Sequence, residues 1–118
     1  MKPEIPALRE LKCVPCRGGE PTVTDVEIKE LHPQVSEWEI VERKNIKRME
    51  RVFKFKNFKE ALEFTNRIGE IAEEEGHHPV IMTEWGRVKV SWWTHKIKGL
   101  HQNDFIMAAK TNELYSSG

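Results

Sequence analysis

The run Asn57-Phe58-Lys59-Glu60-Ala61-Leu62-Glu63-Phe64-Thr65-Asn66-Arg67-Ile68-Gly69-Glu70-Ile71-Ala72-Glu73-Glu74-Glu75-Gly76 decides the fold. From Phe58 the apolar or small positions 58, 61, 62, 64, 65, 68, 69, 71 and 72 fill one helical face, while charged and amide residues fill the other. That spacing predicts an amphipathic helix. Asn57 is a good N-cap because its side-chain oxygen can accept from an unpaired N–H of the first turn, and Gly76 suits the left-handed position that ends a helix near Glu75. Upstream, Glu37-Trp38-Glu39-Ile40-Val41-Glu42 and Met49-Glu50-Arg51-Val52-Phe53-Lys54-Phe55 alternate with period two and read as strands. The short link Arg43-Lys44-Asn45 makes them an antiparallel hairpin. Downstream, Val80-Ile81-Met82-Thr83-Glu84-Trp85 and Val88-Lys89-Val90-Ser91-Trp92-Trp93 flank Gly86-Arg87, with Gly first as a II′ turn prefers, so a second hairpin follows. Further out, Thr24-Asp25-Val26-Glu27 has capping-box form and opens a short helix over 24–32 that ends before Pro33. After a loop closed by Gly99, apolar spacing from Asp104 predicts a last helix reaching Tyr115, its acid near the positive end of the helix dipole. The order α-β-β-α-β-β-α gives an α+β domain: a four-stranded antiparallel sheet with helices packed on one face.

A chain of 118 residues suits one domain, taken as residues 22–118, with residues 1–21 as an N-terminal surface arm. Nineteen Lys plus Arg balance nineteen Asp plus Glu, so no net basic field exists to hold DNA, RNA or an anionic membrane. Nucleic acid and membrane are therefore not expected as partners. No apolar run approaches the roughly 20 residues needed to span a bilayer. The opening Met1-Lys2-Pro3-Glu4-Ile5-Pro6 has no apolar signal-peptide core, so the expected location is cytoplasmic.

Cys13 and Cys16 stand C-x-x-C among Pro15, Gly18, Gly19 and Pro21. Half a zinc site and a redox pair are the functional readings. A structural zinc needs four ligands, and no second C-x-x-C or spaced His pair follows. A thioredoxin-type pair opens a helix after a strand, whereas Pro and Gly here favour an irregular turn. The preferred reading is a structural turn, with no metal assigned; a metal shared between subunits is the better of the remaining readings.

Glu73, the pair His77-His78, His95 and Asp104 all fall near the ends of the expected elements, where rigid structure can aim side chains into a cleft. Histidine changes charge near neutrality and so suits proton transfer, but it is also a common metal ligand. Spacing alone leaves three readings: solvated helix-end histidines, acid and base groups, or part of a metal shell. Trp92 shares parity with Val88 and Val90 and belongs to the core, while Trp85 or Trp93 could stack on a flat ring. Gly-rich phosphate loops, G-x-S-x-G and a Cys nucleophile with a partnered His are absent, so nucleotide hydrolysis and acyl transfer have no support.

Taken in order, Glu73-x₃-His77-His78-Pro79, Trp85, Thr94-His95, Gly99-Leu100 and Asp104 make the chain resemble the pterin-4a-carbinolamine dehydratase family. Trp38, Phe53-Lys54-Phe55, Phe58 and Ala61-Leu62 extend the likeness, and Cys13-x-x-Cys16-x-Gly18 gives it the bacterial form. The resemblance implies dehydration of 4a-hydroxytetrahydropterin to the quinonoid dihydropterin, without metal or cofactor, in recycling the pterin used by aromatic amino-acid hydroxylases. It implies catalytic roles for His77, His78 and His95, and orienting or substrate-binding roles for the acids Glu73 and Asp104; Trp85 is expected to bind substrate as a ring-stacking indole. A homodimer or homotetramer is implied as well. Two positions depart from the pattern: Asn103 stands where animal members tend to carry Arg, and His101 replaces a Ser or Thr that often caps the last helix. The alternatives are a dehydratase serving molybdenum-cofactor metabolism and a non-catalytic pterin-binding or dimerisation protein, since animal members also bind a homeodomain transcription factor.

Overall fold

Asn57 starts the long helix as its chemistry predicts: its side-chain oxygen accepts the Glu60 N–H at 2.9 Å. Gly76 ends it at φ 63°, ψ 30°, so the helix runs Phe58–Glu75. In this computed structural model, which describes residues 7–14 and 18–117, that helix is α2. It lies between α1 (Asp25–Leu31), β1 (Glu39–Arg43) and β2 (Ile46–Lys54) on one side of the sequence and β3 (Val80–Glu84), β4 (Arg87–Trp92) and α3 (Gln102–Ser117) on the other. The order and the α+β class are those expected. The capping box at Thr24 is formed in both directions.

The four strands are antiparallel throughout, in the spatial order β1-β2-β4-β3. The two hairpins therefore join through β2 and β4, which are the central strands. Met49 and Phe53 on β2 and Val88, Val90 and Trp92 on β4 share the inner face, each no more than 1% exposed. Helices α2 and α3 cover that face, α2 with Ala61, Phe64, Ile68 and Ala72. Trp38, Phe53, Phe55, Phe64 and Tyr115 meet edge-on or tilted in one aromatic cluster.

Both turns differ from expectation in detail. Arg43 pairs with Ile46, so the first link is only Lys44-Asn45, both at positive φ as a I′ turn requires. In the second hairpin Glu84 pairs with Arg87, which is closed further by their ion pair at 3.0 Å. The link is therefore Trp85-Gly86 with Gly second, not Gly86-Arg87 with Gly first. Gly86 takes φ 71°, and an added Cβ would meet the Phe55 carbonyl at 3.1 Å.

The described part of the N-terminal segment runs along the surface, with Leu8 as its one buried residue. Leu8 is 1% exposed, in a short turn (Leu8–Glu10) that packs on α3. Its N–H donates to Gln34, and Lys110 on α3 donates to the Arg9 carbonyl. Among the described residues no helix is long and apolar enough to cross a membrane.

Candidate active site

A chain leaving α2 through a left-handed glycine turns sharply, and this turn carries His77 back over the sheet. The His77 N–H still donates to the Ala72 carbonyl at 3.1 Å, which fixes the backbone there. Its ring lies almost parallel to the Trp92 indole, 13° between planes and 5.6 Å between centroids. The ring is also held edge-on: Nε2 is 2.6 Å from Asp104 Oδ1.

Asp104 has no solvent exposure. Its second oxygen accepts from the Thr94 hydroxyl at 2.8 Å and from the His101 N–H at 2.9 Å. A carboxylate can only accept, so in this pairing Nε2 of His77 is the donor and Nδ1 is the ring nitrogen not bonded to Asp104. Thr94 also bridges to Gly99 through paired backbone bonds, and this bridge closes the loop that presents His95. The His95 ring tilts against Trp93 at 4.5 Å, and Trp93 in turn lies under the Arg48 guanidinium. His78 is exposed and paired at 2.5 Å with Glu73, one turn back on α2.

His77, His78, Thr94 and His95 border one cavity of about 470 Å³, whose wall is completed by Cys13, Val14, Glu75, Gly76, Lys96 and Asn103. Its volume suits a small heterocycle. Burial pushes the Cys13 thiol up to about 12, with the nearby Glu75 and Asp104 carboxylates adding to the shift, so it is a neutral group at the cavity wall.

The structure thus brings His77, His78 and His95 together. Asp104 stands behind His77 and does not line the cavity, because both its oxygens are engaged inside the fold. Glu73 reaches the cavity only through His78. Trp85 is not brought to it: at the far end of β3 from His78, it sits in the hairpin turn, 73% exposed. Trp93 is the indole beside His95 instead. Sequence reasoning did not foresee the wall made by residues 13 and 14, nor the Thr94 hydroxyl's bond to Asp104. Among the described residues no group of three or more His, Cys, Asp or Glu is arranged to hold a metal ion. Cys16 lies outside the described residues.

A sheet-supported cavity is thus rimmed by several imidazoles, one of them bonded to a buried carboxylate, groups whose chemistry can donate and accept protons. The chain belongs to the family described as pterin 4 alpha carbinolamine dehydratase, whose sequence pattern matches residues 21–114. It is 61% identical over 107 residues to a Nitrosococcus oceani protein named "Putative pterin-4-alpha-carbinolamine dehydratase", covering 91% of this chain and 95% of that one. A like-named protein of Gloeobacter violaceus is 57% identical over 107 residues, covering 91% and 92%. Among solved structures, a transcriptional coactivator/pterin dehydratase from Brucella melitensis superposes with a TM-score of 0.72 at 29% identity, over 80% of this chain and 99% of that one.

Proposed function

We propose that this chain dehydrates 4a-hydroxytetrahydropterin to the quinonoid dihydropterin, in recycling a pterin cofactor. The observation that carries this reading is the single cavity rimmed by His77, His78 and His95, with His77 tied to the buried Asp104. The reaction is an elimination. The bond from C4a to oxygen breaks as the hydroxyl takes a proton and leaves as water, and a ring N–H gives its proton to a base while its electron pair forms the new C=N bond. Protons given and taken balance and no electron leaves the substrate, so an acid and a base suffice.

His77 and His95 are the proton carriers in this reading. His77 acts through Nδ1, since Nε2 is committed to Asp104, and Asp104 orients it without touching substrate. His78, with Glu73 behind it, holds the pterin at the open side. The enzyme is cytoplasmic and works as a homodimer or homotetramer. The oligomer is supported by the exposed edge strand β3, with Val80 and Met82 about half exposed, and by Phe58 and Leu62 left uncovered on α2.

The test is conversion of 4a-hydroxytetrahydropterin, followed by the absorbance of the quinonoid product. The purified chain should exceed the uncatalysed rate by at least about 10², the scale of acid–base catalysis. A rate equal to the uncatalysed one would remove the reading in favour of a binding protein.

A further inference from the structure

We propose that the backbone of Cys13 and Val14 is a wall of the substrate pocket, and that Asn103 is the positioning residue that fixes this wall and so limits which pterins fit. The inference rests on the dehydratase reading and deepens it. Both residues line the cavity with the histidines, although they lie some sixty to ninety positions away in sequence. The Val14 N–H donates to Asn103 Oδ1 at 3.0 Å, and Asn103 Nδ2 donates to the Val14 carbonyl at 2.7 Å. One amide side chain thus reads both polar groups of one residue, as a neighbouring strand would, and fixes its rotation as well as its place. The Cys13 N–H donates to Glu75 at 2.7 Å.

The anchors are adjacent in sequence to the catalytic machinery. Asn103 precedes Asp104, which holds His77, and Glu75 precedes Gly76-His77. The wall is therefore referenced to the same two elements that set the His77 ring, and its distance from that ring is fixed. Glu75 closes a run of three acids at the C-terminal end of α2, the negative end of the helix dipole, with no basic residue in the last turn. An acid is unfavourable there by itself, and its bond to the Cys13 N–H offsets this. Tethering the N-terminal segment to the fold does not need these bonds, because Leu8 already buries itself against α3. The bonds instead fix residues 13 and 14 at the cavity. Asn103 is 3% exposed and directs its amide at Val14, so it serves the wall, not the solvent.

The experiment compares Asn103→Ala and Glu75→Ala with the full-length wild type. Measurements are KM and kcat for two 4a-hydroxytetrahydropterins, with and without a side chain at C6, together with hydrogen exchange at the Val14 amide. In Asn103→Ala the Val14 amide should exchange faster and KM should rise about tenfold, with kcat within about threefold of wild type. Glu75→Ala should move KM the same way by less, and discrimination between the two pterins should shrink in both. A merely structural role would leave KM and discrimination unchanged and lower kcat only with the folded fraction. That result, or faster Val14 exchange with unaltered constants, would overturn the proposal. If the wild type binds pterin, followed by the ligand's fluorescence, but turns nothing over, the dehydratase reading falls. The wall then stands or falls on whether Asn103→Ala weakens that binding. A wild type that binds no pterin overturns both.

Discussion

Asp104 has no exposure to solvent, and its two oxygens hold the His77 ring, the Thr94 hydroxyl and the His101 N–H. Replacing it with Asn keeps the shape but puts a donor where an acceptor is needed, either against the ring or against Thr94 and His101. The ring then loses the partner that fixes its tautomer. Asp104→Asn should lower kcat about 10²–10⁴ with KM changed far less, as steady-state kinetics would show. The residue types of this site were legible in the sequence, but the division of labour was not. A carboxylate at a helix start looks the same on paper whether it faces substrate or backs a ring, and burial alone separates the two. Trp85 shows the reverse case: an indole beside a hairpin glycine cannot be placed until it is known which end of the strand meets the cavity. Cys13 gives a pH prediction. Its thiol keeps the proton to about pH 12 when folded, against 9.0 for the ordinary value, because of burial first and the Glu75 and Asp104 charges second. The folded state then binds more protons than the unfolded state between these values, so stability falls as pH rises from about 9 towards 12. Cys13→Ala should lose that part of the decline, measured as a flatter dependence of unfolding free energy on pH over this range.

At the scale of elements, α2 was readable to the residue because each of its signals points the same way: an Asn cap, one apolar face and a terminal glycine. The hairpins were readable as pairs but not in register. Ile46, Lys47 and Arg48 break the alternation that marks Phe53 and Phe55, and it is pairing with Arg43, Glu42 and Val41 that makes them strand. Helix α3 starts at Gln102, two residues before the expected acid, because His101 caps it with an imidazole: the Asn103 N–H donates to His101 Nδ1 at 3.0 Å. The family resemblance marks position 101 as a capping site, but an imidazole is not among the usual capping groups, so the helix was expected to start at Asp104. His101→Ala should cost about 1 kcal/mol in a denaturation experiment, and His101→Ser should recover most of it, since a hydroxyl can accept the same N–H. Equal loss in both would show that the ring's packing matters and the cap does not. The anchoring of the N-terminal segment was not legible for a different reason. A short, proline-rich and polar stretch offers no periodicity, and a single buried Leu8 gives no pattern to detect.

At the scale of the whole molecule, one chain closes its core yet leaves Phe58, Leu62, Val80, Met82 and Trp85 between 43% and 73% exposed. These residues lie on α2, on the edge strand β3 and in its turn, the parts a second copy could cover. Sedimentation at micromolar concentration should show a species of at least twice 13.8 kDa. A single 13.8 kDa species would contradict the homo-oligomer. The central proposal joins fold and cavity: on this reading the sheet and the ends of α2 and α3 hold two imidazoles where one pterin ring would exchange protons with both. The most direct measurement is the turnover of 4a-hydroxytetrahydropterin by His77→Ala and by His95→Ala, with the fold checked by circular dichroism. His32→Ala, whose ring bonds the Trp38 carbonyl outside the cavity, is the control. The account predicts a loss of about 10²–10⁴ in kcat for each cavity variant and none for the control. Wild-type turnover by both His77→Ala and His95→Ala would contradict it.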